Sequence, residues 1–157
     1  MDVFKLRDRL VALIAERNLE DRFLLRSAVA HEQAALYLQA CDAAVIPIHD
    51  GRKLRYGLSP LKFWEALSVG LPVLVPDAGG LGSVLDELQW PGEFAGGDAR
   101  SLAHLMRGTI QELDSLRERR YEVHDRIVRD HSWSAVARRA VEAVARRCPR
   151  LRKEPLS

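Results

Sequence analysis

The spacing of apolar residues predicts alternating helices and strands in the first third of the chain. A helix that ends near Asn18 is indicated by apolar residues at helical spacing, namely Phe4, Leu6, Leu10, Leu13 and Ile14. A short strand is expected at residues 23–25, a helix at 31–39, and a buried strand at 43–46 that stops before Pro47. Repeated helix and strand units with nearly continuous apolar strands indicate a parallel sheet that is covered on both faces.

From Ser59 onwards the pattern predicts one more helix and strand pair, followed mainly by helices. Ser59 and Pro60 suit the N-cap and the first position of a helix, and the Gly-Leu-Pro sequence at 70–72 ends that helix before a buried strand at 73–75. Further elements are expected as a helix at 81–88, an edge strand at 92–95, and helices at 101–113, 115–130 and 132–147. The predicted fold class is α/β, with a partial Rossmann-like parallel sheet of about four strands flanked by helices and an all-helical C-terminal third.

Length and composition fit one domain over residues 1–157, with a helical tail at about 101–150. The 157 residues include 24 basic and 22 acidic side chains, so the net charge of +2 gives no general attraction to nucleic acid. Cys41 and Cys148 are too few for a disulfide framework or a metal site, which indicates a reducing, cytoplasmic location. We expect neither a signal peptide nor a membrane span, because no apolar run approaches the roughly 20 residues that cross a bilayer.

The candidate binding chemistry lies between residue 48 and the helix that begins at Pro60. A long polar loop leads into Gly57 and Ser59, whose small side chains allow a ligand to approach the backbone. The amides of the first helical turn carry a partial positive charge that favours an anion. Glu65 lies about one and a half turns into the same helix. A glutamate in mid-helix is usually a solvated helix former, but the Ser-Pro start and the Gly-Leu-Pro end favour a binding role here.

Five segments of the chain occur in the order shown by one family of enzymes. Residues 56–75 contain a loop, a helix with a glutamate, and a Gly-Leu-Pro-Val entry into a strand. The others are the strand region 38–47, the Asp-Ala-Gly-Gly turn at 77–80, the segment 97–103 with its aspartate and Leu-Ala pair, and His-Ser-Trp at 131–133. Together they resemble the retaining glycosyltransferases of the GT-B fold, family 4 in the usual classification, over nearly the whole chain. The central segment resembles the donor-binding core of that family.

The resemblance implies that the chain supplies the donor-binding half of a glycosyltransferase, specifically a hexosyltransferase. Such an enzyme moves a sugar from a nucleoside-diphosphate-sugar to an acceptor with retention, for example in polysaccharide biosynthesis. The nucleotide-sugar is the donor substrate, and the resemblance implies neither a cofactor nor a metal at the donor site. It also identifies no catalytic residue in this chain.

The resemblance assigns donor-binding roles only to positions that match. Glu65 matches the second of two glutamates that stand eight positions apart, and it would hold the ribose hydroxyls of the nucleotide. The first glutamate falls at Gly57, where only the backbone can contact the sugar. Main-chain groups that contact the sugar and the diphosphate match Ser59, Pro60, Leu61 and Lys62. The side chain of Lys62 either adds positive charge to the phosphates or points to solvent.

The resemblance further implies a chain that is truncated on its N-terminal side, without the acceptor-binding domain and the first two strands. The strands at 23–25 and 43–46 would then each keep an unpaired edge, and such edges pair with other chains. We expect the strand around Leu24 either to move beside the one around Val45 or to be completed by a partner, such as a complementing acceptor domain or a second copy. The alternative function is a non-catalytic, glycosyltransferase-like subunit or remnant that acts as a binding module.

The C-terminal helix is open to two interpretations. It carries apolar residues on one side and a cluster of positive charge formed by Arg138, Arg139, Arg146, Arg147, Arg150, Arg152 and Lys153. This pattern indicates either a surface helix that packs on the sheet or a peripheral helix on an anionic membrane.

Two tryptophans are expected to be structural. Trp64 is expected either in the core or on a packing surface, and Trp133 at a helix start is expected to be a staple to the last helices. The histidines show no ligand spacing, so we expect no metal site.

Overall fold

A computed structural model describes residues 3–48, 60–77 and 79–148. It divides the chain into two compact units, residues 1–31 and 32–157. The organisation as one domain over 1–157 stays a prediction. In chain order the described elements are α1 (Val3–Glu16), α2 (His31–Ala40), β1 (Ala44–Val45), α3 (Leu61–Ser68), β2 (Val73–Pro76), α4 (Leu81–Leu88), β3 (Glu93–Phe94), α5 (Ala99–Gln111), α6 (Leu113–Glu118), α7 (Arg120–His131) and α8 (Trp133–Arg147).

The first unit is built on α1, which forms and ends as its apolar spacing predicts. Asn18 adopts the left-handed conformation, with a φ of 51°. Its N–H donates to the carbonyl of Ala15 at 3.1 Å, and the N–H of Leu19 donates to that of Ile14 at 3.0 Å. These two bonds satisfy carbonyls that the end of a helix otherwise leaves free, so the predicted end near Asn18 is confirmed.

The prediction of a strand at residues 23–25 is wrong. The N–H of Phe23 bonds back to the carbonyl of Leu19 at 3.1 Å in a turn, and Leu24 is 75% exposed. Within the described part of the chain, these residues form no strand and belong to no sheet, so the expected strand pairing with the segment around Val45 is wrong. Three apolar residues cannot hold a strand without a neighbour for their N–H and C=O groups. Completion of this segment by a partner stays a prediction.

The second unit contains a three-stranded parallel sheet in the order β1-β2-β3. Ala44 is in register with Val73, and Val75 is in register with Glu93. All four residues of the central strand β2 are buried, because helices cover both faces of such a sheet. The predicted α/β fold class is confirmed, with three strands in the described residues.

The core of the second unit lies between the sheet and the helices α3, α4 and α7. Helix α3 contributes the buried side chains Phe63, Ala66 and Leu67. Trp90, which follows α4, is also buried, and its indole N–H donates to the carbonyl of Leu71 at 3.2 Å. This bond satisfies the polar atom of the indole, which otherwise makes a buried tryptophan costly.

The C-terminal third is helical, as predicted, but the single helix expected at 115–130 is divided into α6 and α7. The break falls at Arg119, whose guanidinium donates to the carbonyls of Leu88 and Gln89 at 3.0 and 3.1 Å. The same guanidinium lies 5.6 Å from the ring centre of Trp90. A turn of the chain at Arg119 therefore lets one side chain cap α4 and cover Trp90.

The staple role expected for Trp133 is wrong, because this side chain is 81% exposed at the start of α8. None of the described helices is long and apolar enough to cross a lipid bilayer.

Candidate functional site

The candidate site lies at the edge of the sheet where the parallel strands end, which we call the carboxyl edge. Because the three strands run in one direction, residues after β1, β2 and β3 meet at this edge. Helices α3 and α4 return antiparallel to the strands, so they begin at the same edge. Ligands of open parallel sheets bind at this position.

Helix α3 begins one residue later than predicted. Pro60 is the N-cap, with φ −68° and ψ 128°, and Leu61 is the first helical residue. The N–H of Phe63 donates to the carbonyl of Pro60 at 2.9 Å. The N–H groups of Leu61 and Lys62 have no carbonyl one turn earlier within the helix, so they are available to an anion. Gly57 and Ser59, the other two predicted backbone contacts, lie outside the described residues.

Helix α4 also begins without a side-chain cap. Its N-cap is Gly80, and Gly79 and Gly80 have φ values of 77° and 74°. A hydrogen bond to the loop after β3 stabilises the turn before α4. The carboxylate of Asp77 accepts this bond from the N–H of Gly96 at 2.8 Å. Asp77 thereby ties the end of β2 to the loop that follows β3.

Helix α5, the third helix that begins at this edge, differs from α3 and α4 because a side chain caps its first turn. The carboxylate of Asp98 caps α5 by accepting the N–H of Arg100 at 2.8 Å. This cap occupies the position that an external anion would take. Of the three described helices that begin at the carboxyl edge, only α3 and α4 therefore offer uncapped amides to a ligand.

Glu65 is the fifth residue of α3 and is half-buried. The buried side chains of Phe63, Ala66 and Leu67 fix the helix that carries it. In the described ranges, no hydrogen bond or ion pair engages the Glu65 carboxylate. A half-buried carboxylate that has no partner among the described residues favours a hydrogen-bond donor that those residues do not supply. The neighbouring Leu61 and Lys62 side chains are exposed.

The far end of α3 closes at the Gly-Leu-Pro sequence, where the sequence predicts that the helix ends. The N–H of Gly70 donates to the carbonyl of Leu67 at 2.9 Å, and that of Leu71 to Ala66 at 3.0 Å, which closes the helix. Gly70 has a φ of 67°, and a Cβ at this position would lie 2.2 Å from the carbonyl oxygen of Arg120. A larger residue is therefore excluded twice, by conformation and by space.

Two basic residues of α7 complete this cap. Arg120 donates from Nε to the carbonyl of Val69 at 2.6 Å and from its terminal nitrogens to the carbonyl of Gln39 at 3.3 Å. The Nδ1 atom of His124 contacts the carbonyl of Ser68. The positive charge of the Arg120 guanidinium is favourable at the C-terminus of α3 because it complements the helix dipole. The spacing of four residues between Arg120 and His124, which puts both on one helix face, is the only sequence signal for this arrangement.

Trp64 lies beside Glu65 and packs against aromatic neighbours. Its ring stacks on His131 at 4.8 Å between centres with an angle of 27°, and it meets Phe63 edge to face at 5.1 Å. These contacts agree with the structural role that the sequence predicts for Trp64.

Two grooves of the second unit lie at the opposite, amino edge of the sheet. One has a volume of about 240 Å³ beside Asp42 and Arg117, and one of about 410 Å³ lies beside Arg120 and His124. A smaller groove of about 160 Å³ lies at the carboxyl edge, lined by Ile48, Phe94 and Asp98 among others.

We place the candidate site at the carboxyl edge because the arginines that line the amino-edge grooves already form hydrogen bonds within the protein. Arg117 donates to Asp42 at 2.8 Å, and this hydrogen bond raises the pKa of Arg117. Arg120 is engaged with the carbonyls of Val69 and Gln39. These grooves therefore show a structural network rather than groups that await a ligand.

No group of three or more His, Cys, Asp or Glu side chains in the described residues is arranged to hold a metal ion. His49, the one histidine of the loop before α3, lies outside those residues. Cys41 and Cys148 are both free and exposed.

Comparison with known proteins supplies the family. A search of curated protein sequences finds no match. Among solved structures, sucrose-phosphate synthase from Thermosynechococcus elongatus matches 90% of this chain with a TM-score of 0.72 and 24% sequence identity. The match covers 34% of that chain, so this chain spans about a third of the solved structure's length. At this identity the likeness shows the fold, which is consistent with a fragment of the GT-B architecture.

The family follows from the sequence itself. Residues 5–122, which are more than half of the chain, match the family described as glycosyl transferases group 1. The matched region includes α3, Glu65 and the turn before α4. The chain belongs to the glycosyl transferases group 1 family.

Proposed function

We propose that this chain is the donor-binding half of a retaining glycosyltransferase of family 4, a hexosyltransferase that uses a nucleoside-diphosphate-sugar. The observation that carries the proposal is the pair of uncapped helix starts at the carboxyl edge, α3 and α4. Beside them, the carboxylate of Glu65 on α3 has no partner among the described residues. The family membership supports glycosyl transfer as the reaction class.

The donor contacts follow from the chemistry of these groups. The free N–H groups of Leu61 and Lys62 would bind the diphosphate, and the positive end of α3 would favour its charge. Glu65 would accept hydrogen bonds from the two ribose hydroxyls, since a carboxylate offers two oxygens to a vicinal diol. At Gly57 and Ser59, which lie outside the described residues, the proposal uses only backbone contacts to the sugar.

The reaction needs positioning and electrostatic stabilisation more than a protein nucleophile. The bond between the anomeric carbon and the diphosphate oxygen breaks, and the acceptor hydroxyl oxygen bonds to the same face of that carbon. The acceptor proton passes to the departing diphosphate, so the step needs no separate protein base. Amides at the start of α3 would stabilise the negative charge that develops on the diphosphate.

A nucleotide titration of the folded chain tests the donor site. Uridine, guanosine and adenosine diphosphates are added to the protein and to Glu65→Ala, with binding followed by calorimetry or amide NMR. We expect saturable binding of one nucleotide, at least about tenfold weaker in E65A because hydrogen bonds to a charged group are lost. Glu87→Ala, an exposed glutamate on α4, is the matched control and leaves binding unchanged. Absence of binding at millimolar nucleotide, or equal binding by E65A, contradicts the proposal.

The alternative is a glycosyltransferase-like binding module that transfers no sugar. The glycine at position 57, where the family resemblance has a glutamate, favours it. The two functions separate when a chain that carries an acceptor domain is added. Transfer of labelled sugar supports the enzyme, and nucleotide binding without transfer supports the module. For either function we propose a cytoplasmic location, which the two free, exposed thiols support.

A further inference from the structure

Helix α7 runs along α3 in the opposite direction and contacts it in both halves. Three pairs of residues join the two helices, each given with its α7 member first: Arg120 and Val69, His124 and Ser68, and His131 and Trp64. The first two pairs lie at the end of α3, on the amino edge of the sheet. Of the three, the pair formed by His131 and Trp64 is therefore the nearest to the candidate donor site.

The geometry of α3 places Glu65 beside this pair and away from the core. At 100° per residue, Trp64 and Ser68, the two residues that histidines of α7 contact, lie about 40° apart around the helix. Glu65 lies about 100° from Trp64, but about 160° from each of the buried residues Phe63 and Leu67. The core thus holds α3 from the side opposite to Glu65, and α7 holds it from a side next to Glu65.

A second point of support matters most for the residue that lies farthest from the core. A helix that is packed on one side only can rock about that side, and rocking displaces the opposite side chains more than the backbone near the helix axis. In α3 the side chain that would move most is Glu65. The contact of Trp64 with His131 opposes this motion because it lies well away from the core-facing side.

The contact is a ring stack with defined geometry. The Trp64 ring lies 4.8 Å from the His131 ring between centres at an angle of 27°, and it meets buried Phe63 edge to face at 5.1 Å. Aromatic pairs at such distances are attractive beyond the area that they bury. Three rings in contact thus connect the core, the first half of α3 and the end of α7.

His131 is itself held at the junction of α7 and α8. It is the last residue of α7 and is half-buried. The hydroxyl of Ser132 accepts the N–H of Ala135 at 3.2 Å and caps α8, and Ala135 is buried. This cap fixes the backbone directly after His131, so the imidazole meets Trp64 from a fixed position.

The rest of α8 takes no part in this contact. Its predicted place on an anionic membrane stays a prediction. Three basic residues predicted for the end of this helix lie outside the described residues, namely Arg150, Arg152 and Lys153.

We propose that His131 is a positioning residue of the donor site, which acts through Trp64 to hold Glu65 where its carboxylate meets the ribose hydroxyls. The inference rests on the proposed function, because it requires Glu65 to bind the donor. His131 does not touch the nucleotide in this arrangement. Its contribution is preorganisation, since a carboxylate that is already in place loses less freedom when the donor binds.

Nucleotide affinities of the full chain and its variants test the inference. His131→Ala removes the ring and weakens binding of the preferred nucleoside diphosphate about two- to tenfold, the range that one aromatic pair contributes. His131→Phe keeps a ring for Trp64 and retains the affinity within about twofold. His104→Ala, which removes an exposed histidine of α5, is the matched control and leaves the affinity unchanged. Circular dichroism shows that the variants are folded.

A nucleotide without ribose hydroxyls separates positioning from a general loss of structure. The 2′,3′-dideoxy form of the same nucleoside diphosphate offers Glu65 no hydrogen-bond donor, so the unmodified chain and H131A bind it within about twofold of each other. For the same reason, H131A adds no further loss when it is combined with Glu65→Ala. A histidine that only stabilised the fold would instead weaken binding of both nucleotides by the same factor.

Three results overturn the inference alone. They are unchanged nucleotide binding by H131A, equal weakening of the ordinary and the dideoxy nucleotide, and binding by H131F that is as weak as binding by H131A. In each case, saturable binding by the unmodified chain leaves the proposed function standing. If the unmodified chain binds no nucleotide, the proposed function is wrong, and the role of His131 is wrong with it.

Discussion

Arg120 on α7 donates a hydrogen bond of 2.6 Å to the carbonyl of Val69, the residue that caps α3. Through its terminal nitrogens the same side chain reaches the carbonyl of Gln39 near the end of α2. One guanidinium thus satisfies carbonyls at two helix ends on the amino edge of the sheet. The helix that carries Glu65 is consequently fixed at the end opposite to the candidate donor site.

Replacement of Arg120 by methionine should destabilise the protein. The change keeps much of the side-chain volume but leaves the carbonyls of Val69 and Gln39 without their donor, at a cost of about 2 kcal/mol in the free energy of unfolding. Urea denaturation monitored by circular dichroism measures the difference. Arg107→Met is the control, since Arg107 is exposed on α5 and no hydrogen bond of its side chain is found in the described residues. Equal stability of the two variants would show that the bonds contribute nothing.

Replacement of Gly70 by alanine should be more damaging than its small size suggests. The positive φ alone costs about 1–2 kcal/mol, and the overlap with the Arg120 carbonyl adds to it. Gly80→Ala isolates the cost of the positive φ, because Gly80 has a φ of 74° and a Cβ there meets no described atom within 4 Å. Gly108→Ala, in the interior of α5, should instead stabilise by about 0.5–1 kcal/mol. Thermal denaturation ranks the three variants. If the G70A protein is as stable as G80A, the overlap with the Arg120 carbonyl contributes nothing to the destabilisation.

Elements that depend on local pattern could be predicted from the sequence, and contacts between distant residues could not. The helix at 81–88 was predicted to the residue, since apolar residues recur at helical spacing from Leu81 to Leu88 and two glycines precede the first of them. The bond between Arg120 and Val69 joins residues 51 positions apart, and no local pattern encodes it. Residues 23–25 have strand composition, but a strand also needs a neighbour, which composition does not supply.

The candidate site was also predictable only in part, because some of its features follow from local pattern and others depend on the backbone conformation. The start of α3 and the position of Glu65 follow from the Ser-Pro and Gly-Leu-Pro boundaries, and the structure differs by one residue at Pro60. The distinction between capped α5 and uncapped α4 depends on whether Asp98 and Gly80 are the cap residues. That assignment needs the backbone angles, which the sequence alone does not give.

Removal of the Asp77 carboxylate should loosen the turn before α4. Asp77→Ala leaves the N–H of Gly96 without its acceptor and should lower the free energy of unfolding by about 1 kcal/mol. Asp77→Asn keeps an acceptor oxygen and should retain most of the stability. Amide hydrogen exchange at Gly96 provides the local readout, with faster exchange in D77A than in D77N. Identical exchange in both variants would show that the bond does not protect this amide.

Lys62 should contribute to diphosphate binding through its charge, if the donor site is used as proposed. Lys62→Gln removes one exposed positive charge from the first turn of α3, so affinity for the preferred nucleoside diphosphate should fall about two- to fivefold at low ionic strength. Salt screens exposed charges, so the difference should disappear in high salt, and affinity for the nucleoside without phosphates should not change. Arg107→Gln, which removes an exposed charge from α5, is the matched control and should leave both affinities unchanged. A loss of the same size for nucleoside and nucleoside diphosphate would instead show that Lys62 points to solvent and that the variant perturbs α3 itself.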